Sequence, residues 1–208
     1  CGLDTFPGFL ATADFLAQVT APSGDTFNYA DSSDRRGFEP ALLWFARRLR
    51  QPAVVRWELG FLDQPATTAH STDARSRHLP LALLWWDPAL RTLPAPPPPL
   101  HWKGDGSVPV AVHRSAWADP RAIFVAIKGG KPAVSHGHMD VGSFILEADG
   151  IRWALDLGGQ SYTTAYNAGI DSGLWRFSAD SPRWTIFRLG PEAHNILRFD
   201  GTPQSVAA

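Results

Sequence analysis

Cysteine is almost missing from this sequence: Cys1 is the only one among 208 residues. An internal disulfide framework is thereby excluded, as is any zinc cluster built on thiolates, while the redox compartment stays open. Blocks of like charge are missing too. With 19 basic and 20 acidic residues, and no run longer than the Arg35-Arg36 and Arg47-Arg48 pairs, the chain lacks the electrostatic footprint of a nucleic-acid binder. No apolar run approaches the ~20 residues that cross a bilayer, so no membrane span is expected. The N-terminal residues show no basic region followed by an apolar stretch. A cysteine at the first position is compatible with a processed lipoprotein terminus, but no spacer separates it from apparent fold, which favours a chain cut from a longer one. Methionine occurs once, against nine tryptophans and 18 prolines. A Trp-rich, charge-poor composition is common in secreted carbohydrate-active proteins, although a core built on Trp explains most of the nine.

What is present divides the chain in two. "FPGFLATADFLAQVTAPSG" puts Phe9, Leu10, Ala13, Leu16, Ala17 and Thr20 near helical spacing and stops at Pro22 and Gly24. A second helix is expected in "EPALLWFARRLR", with Pro40 suited to its first turn and Arg47, Arg48 and Arg50 complementing its C-terminal dipole. Another begins near Pro52, and "LPLALLWWD" reads as a helix rather than a buried strand. Then "RTLPAPPPPL" supplies five prolines, four of them consecutive, which favour an extended form and mark a boundary. The texture afterwards is β. "SVPVAVHRSAW" alternates, "RAIFVAIKGG" is a short apolar strand, and "GSFILEADGIRWALDLGG" holds two runs joined at Ala148-Asp149-Gly150, a hairpin signal. The stretch from Gly158 to Ser181 reads as a long loop, which in a compact domain is often functional, and "HNILRFDG" as a closing strand. The expected organisation is therefore α+β and multidomain: a helical part over 1–93, a Pro-rich linker over 94–100 and a β part over 101–208.

Within the β part, "SHGHMDVGSF" holds His136, His138 and Asp140 at spacings of two, so in an extended strand all three share one face. His194 and Asp156, the latter just before Leu157-Gly158-Gly159, complete a set of imidazoles and carboxylates of the kind zinc favours. Each element is individually ordinary: His-x-His is common, Asp before Gly is a turn residue, and His-Asn can simply cap a strand. Asp140 reads equally well as a carboxylate that holds a histidine tautomer or as a turn residue.

The combination "FVAIKGGKPAVSHGHMDVGSFILEADGIRWALDLGGQSY" followed by "HNIL", with "RSAW" and more loosely "PSGDTFNYADSS" upstream, resembles the heparinase II/III-like polysaccharide lyases. The resemblance implies the C-terminal part of an (α/α) toroid followed by an antiparallel β-sandwich, with β-elimination of a uronate-containing acidic polysaccharide in the periplasm or outside the cell. It implies a structural zinc held by His138, Asp156 and His194, and His136 facing the substrate. The family's catalytic tyrosine belongs to helical segments that find no match here, so the chain is expected to be a fragment with weak activity by itself. An open toroid end would then expose Leu42, Leu43, Trp44 and Phe45.

Tyr29 is a replacement acid/base candidate, but "FNYADS" reads more simply as a loop with Tyr29 stabilising it and Asp31 capping locally. In the lyase reading, His136 neutralises the uronate carboxylate as charge accumulates there. A bend at Gly137, which lacks a Cβ, would separate its role from that of His138. Two other classes compete. A cupin-type metal oxygenase or isomerase would share the H-x-H pair, but Gly142 and Ser143 occupy the positions where its carboxylate should follow. A non-catalytic carbohydrate-binding piece would use Trp153, Trp175 and Trp184 as sugar platforms.

Overall fold

Proline and apolar spacing divide the first ninety residues into short helices. In the computed structural model, which describes residues 2–63, 78–170, 173–202 and 204–206, they are α1 (Ala13–Val19), α2 (Ala41–Leu49), α3 (Arg56–Leu62) and α4 (Pro80–Trp85). Cys1 lies outside the described residues. Pro40 stands at the N-cap of α2 and Pro80 in the first turn of α4, where a missing N–H costs nothing. Arg50 ends α2 in the left-handed conformation, φ 55°, so an arginine occupies the position usually given to glycine. These helices belong to a compact unit of Cys1–Thr20 and Arg36–Pro99; the second unit comprises Ala21–Arg35 and Leu100–Ala208.

The helical unit closes around Ala13, Leu42, Leu43, Ala46, Val54, Val55, Ala82 and Leu90. The expected exposure of Leu42 and Leu43 is thus corrected: both are buried in that core. Trp44 and Phe45 are half-buried, each with its ring against Phe9. The exposed leucines are instead Leu83 and Leu84, on the outer side of α4.

In the same unit Arg36 donates to Glu58 at 2.5 Å, with both side chains almost wholly buried. Burial pushes the Glu58 carboxyl up to about 7, outweighing the attraction of Arg36. The folded state therefore holds this proton more tightly than the unfolded chain does. The stabilisation is full below the unfolded value of 4.5, and it is lost as pH rises through about 7. A loss of about 3 kcal/mol across that window is expected. Urea unfolding at pH 4.5, 6 and 8 checks it, and Glu58→Gln should flatten this part of the profile.

In the second unit the alternating sequences form an antiparallel meander: β1 (His101–Gly104), β2 (Val110–Arg114), β3 (Phe124–Lys128), β4 (Phe144–Ala148) and β5 (Ile151–Ala154), in that spatial order. Ala148 pairs with Ile151, leaving Asp149-Gly150 as a two-residue turn. Their φ values of 55° and 77° are those of a type I′ hairpin, which matches strand twist. Pairing then passes from Glu147↔Arg152 to Leu146↔Ala154, so Trp153 sits in a bulge.

One face buries Val110, Val112, Phe124, Ala126 and Ile145, together with the charged Arg114, Lys128 and Glu147. The latter charges are answered locally. Lys128 pairs with Asp140, and Glu147 accepts from Arg152 and from the Ser23 amide and hydroxyl. The opposite face exposes His113, Ile127, Phe144 and Trp153.

Three sequence readings change here. β1 was unmarked in the sequence because prolines run up to it. The loop from Gly158 to Ser181 contains a helix, α5 (Tyr162–Asn167), whose first turn is capped by the Ser161 hydroxyl. "HNILRFDG" adds no strand; beyond a 3₁₀ turn at Pro191–Ala193, only a Phe199↔Thr202 bridge forms. The Asn195 side-chain amide instead donates to Phe144 O and Leu155 O, so a side chain satisfies the carbonyls that a strand would have met.

Candidate functional site

The loop between β3 and β4 carries His136 and His138, and it is a turn, not a strand. Gly137 N donates to Val134 O at 2.8 Å, and Met139 N to Leu189 O at 2.9 Å. The reversal comes from His136, which holds φ 59°, a costly conformation for a residue with a Cβ. Gly137 is required for another reason: a Cβ there would stand 2.2 Å from Pro132 O and 2.9 Å from Val134 O. The expected bend is therefore one residue earlier, and the glycine serves close backbone approach. Gly137→Ala should cost about 2 kcal/mol or more through overpacking, read from urea midpoints, whereas Gly169→Ala, with open space around it, tests only the generic cost of a left-handed alanine.

The turn gives the two imidazoles opposite fates: the His136 side chain is 55% exposed, while that of His138 is fully buried. Both are held by one carboxylate. Asp31 Oδ2 contacts His136 Nδ1 at 2.6 Å, Asp31 Oδ1 contacts His138 Nε2 at 3.0 Å, and the Tyr162 hydroxyl donates to Oδ2 as well. Burial pushes the Asp31 carboxyl up, but the bonds from His138, Tyr162 and His136 outweigh it and hold it at about 2. An ionised carboxylate only accepts, so the hydrogens lie on His136 Nδ1 and His138 Nε2. That leaves lone pairs on His136 Nε2 and on His138 Nδ1 when the rings are neutral.

Around these groups lies a cleft of about 540 Å³ lined by Asn28, Asp31, His136, Asp156, Gly158 and Tyr162 among others. Tyr162 comes from α5. Burial and its bond to Asp31 push its phenol up, with Arg183 acting in the opposite direction, so it holds its proton at neutral pH. Trp175 packs its ring edge-on to His136, centroids 5.2 Å apart, and lies 4.7 Å from the Tyr162 ring. Arg183 is fully buried beneath. Its Nε and Nη2 donate to Gly137 O at 3.1 and 2.9 Å, its Nη1 to Leu174 O at 3.1 Å, and it lies within 6 Å of the rings of Tyr162, Trp175, Phe177 and Trp184.

Behind His138 lies His194, ring centroids 5.4 Å apart. His194 Nδ1 contacts Asp156 Oδ2 at 2.8 Å, and Asp156 Oδ1 accepts from Gly158 N. Two buried nitrogens, His138 Nδ1 and His194 Nε2, have no hydrogen-bond partner among the described residues. Such orphans ordinarily cost about 1–3 kcal/mol each. Among the described residues no group of three or more His, Cys, Asp or Glu is arranged to hold a metal ion. The donor set, two imidazoles with bare buried nitrogens beside a carboxylate, is still of the chemical kind that suits zinc.

The sequence named His136, His138, Asp156 and His194, and the structure brings all four into one neighbourhood. It did not assign Tyr162 or Arg183 a part. The reading of Asp31 as a local cap is corrected, because its side chain reaches residues more than a hundred positions away. Asp140 holds no histidine: its carboxylate takes Lys128 and the Ala30 amide. Tyr29 packs on Phe27, and burial followed by the charge of Asp140 pushes its phenol up. Trp184 is buried with its indole N–H on Ser178 O, which removes it as a sugar platform, whereas Trp153 and Trp175 stay exposed.

The second unit is thus an antiparallel β domain whose loops gather histidines, a tyrosine and an aspartate at a polar cleft. Residues 110–208 match the family described as heparinase II/III-like, C-terminal. No curated protein matches the chain. No helix among the described residues is long and apolar enough to cross a membrane.

Proposed function

We propose that the chain is part of a lyase that cleaves a uronate-containing acidic polysaccharide, of glycosaminoglycan or alginate type, by β-elimination, acting in the periplasm or outside the cell. The observation that carries the reading is the exposed His136, fixed by Asp31 beside the Tyr162 phenol at a polar cleft within the family's segment. On this reading residues 1–93 belong to an (α/α) toroid, 94–100 link it onward, and 101–208 belong to a β-sandwich.

In β-elimination the proton at C5 leaves, the C4 oxygen departs, and charge builds on the adjacent carboxylate. His136, with Nδ1 committed to Asp31, offers its Nε2 edge to that carboxylate; protonated, it is a donor aimed where charge develops. Tyr162 keeps its proton, so it is not the base; turned from Asp31 toward the substrate, its hydroxyl would be the donor for the departing oxygen. Trp175 supplies an aromatic wall for a sugar ring. The base that takes the C5 proton is not assigned to any residue of this chain; Tyr29, packed on Phe27, is a poor candidate.

His138, Asp156 and His194 would hold a structural zinc, with Asp31 accepting from the other nitrogen of His138, the usual arrangement around a ligating imidazole. Zinc there would tie the β3–β4 loop to the segment carrying His194 and leave the chemistry to protein groups.

The test uses the complete enzyme. His136→Ala should keep zinc content and melting temperature and lower formation of unsaturated uronate, followed by absorbance, by roughly 10²–10³-fold. His138→Ala should lose metal and stability first. An unaffected rate in His136→Ala removes that residue from the mechanism, and metal lost from both variants would make it a ligand. Absence of stoichiometric metal in protein never exposed to chelator rejects the zinc.

A further inference from the structure

Away from the cleft, a second pair of imidazoles stands on the open face of the sheet. His101 of β1 and His113 of β2 are directly opposite in register, and both are exposed. Their Nδ1 atoms lie 3.0 Å apart and their ring centroids 5.0 Å. Among the described residues β1 ends the sheet, so beyond His101 none of their strands crowds the pair.

The separation has a chemical meaning. Metal–imidazole bonds are about 2.0–2.1 Å long, so two ring nitrogens on one ion stand about 3.3 Å apart at a tetrahedral angle and about 2.9 Å apart at a right angle. The observed 3.0 Å is the length of a hydrogen bond between the rings, and turning both rings outward at about this separation directs their lone pairs at one ion in neighbouring positions of a square-planar or tetragonal site, the geometry of Cu(II) and Ni(II). We propose that His101 and His113 form a two-nitrogen surface site for a divalent transition metal of that preference, binding Cu(II) more tightly than Ni(II), with water in the remaining positions.

Several features favour it. The two side chains are mounted on paired backbone, so little order has to be created on binding. Lys103, two residues from His101 on the same strand, is already paired with Asp105 at 2.8 Å, and Arg114, next to His113, is buried on the opposite face of the sheet. Without metal, one ring donates from Nδ1 and the other accepts. On binding, the donor ring carries its hydrogen on Nε2 instead, both Nδ1 lone pairs meet the ion, and two neutral rings remain neutral with no net proton released. This site is independent of the lyase reading and of the buried His138–His194 pair.

The experiment is titration of the 208-residue chain, stripped of metal, with Cu(II) and with Ni(II). A Cys1→Ser background removes the only thiol. Calorimetry gives affinity, and electron paramagnetic resonance of the copper form reads its nitrogen ligands. One ion per chain at this site is expected, with coupling to two nitrogens, tighter for copper, and weakened at least tenfold in both His101→Ala and His113→Ala. His113→Asn guards against a local strand effect and should lose binding equally. Binding that is undiminished in the His101 and His113 variants, or that disappears only in His138→Ala, overturns the proposal and marks the surface pair as a simple hydrogen-bonded contact.

Discussion

Asp140→Ala is expected to destabilise the β unit by about 3–5 kcal/mol, the cost of leaving a buried charge without its partner. Lys128 and Asp140 have no exposed side-chain surface, and the ammonium lies 5.8 Å from the Tyr29 ring. With the carboxylate gone, the lysine must shed its proton or open the structure to water, either of which costs free energy. The double variant Lys128→Met/Asp140→Leu carries no orphaned charge and should recover to within about 1–2 kcal/mol of the wild type, since apolar replacements of buried pairs are commonly near neutral. The Ala30 amide, which donates to Asp140 at 3.3 Å, stays unpaired in both. Urea unfolding of the three proteins separates the contributions: if single and double variants fall equally, the loss belongs to the Ala30 contact and not to the charge.

Arg183→Met should be comparably severe, about 3–4 kcal/mol, for a different reason. The methionine fills volume but leaves Gly137 O and Leu174 O without the donors that now reach them, and each buried acceptor so stranded costs about 1–3 kcal/mol. Contact of the guanidinium with surrounding rings is lost as well. Arg183→Lys keeps the charge but not the planar fork, so it should recover less than half. A melting curve for each gives the order. Because Gly137 O lies between the two site histidines, the lysine variant should also change the environment of His136, observable as a displaced imidazole resonance in NMR. An unmoved resonance in a folded Arg183→Lys protein would separate the arginine from the site.

What the sequence disclosed was whatever acts over a few residues. Asp149-Gly150 announced its hairpin because both residues tolerate positive φ, and the alternation of Val110 and Val112 with His113 follows the buried and open sides of β2. The α2 helix was legible from its apolar spacing, but the burial of Leu42 and Leu43 was not, since it depends on Val54, Val55 and Leu90 closing over them. His136, His138, Asp156 and His194 stood out by type, spacing and family resemblance, and the structure places them near one another. Asp31 and Arg183 were not: an aspartate in a serine-rich loop and an arginine after a proline carry no local mark. Their meaning lies in contacts 105 and 46 residues away in sequence. "HNILRFDG" looked like a strand because periodicity does not register that an asparagine amide can take the place of ladder bonds.

The meander and the site also differ in how much chain each must close. Every strand pairs with the one before it, so the sheet assembles by small loop closures. Asp31 must return across more than a hundred residues to meet His136, and closure entropy of that size is repaid only after the rest is in place. The clasp formed by residues 26–34 is therefore expected to dock late in the folding of the β unit and to release early. Release of that clasp alone frees both histidines from their shared carboxylate while the strands stay paired, which makes the readiness of the site a property of this one loop, separable from the stability of the sheet beneath it.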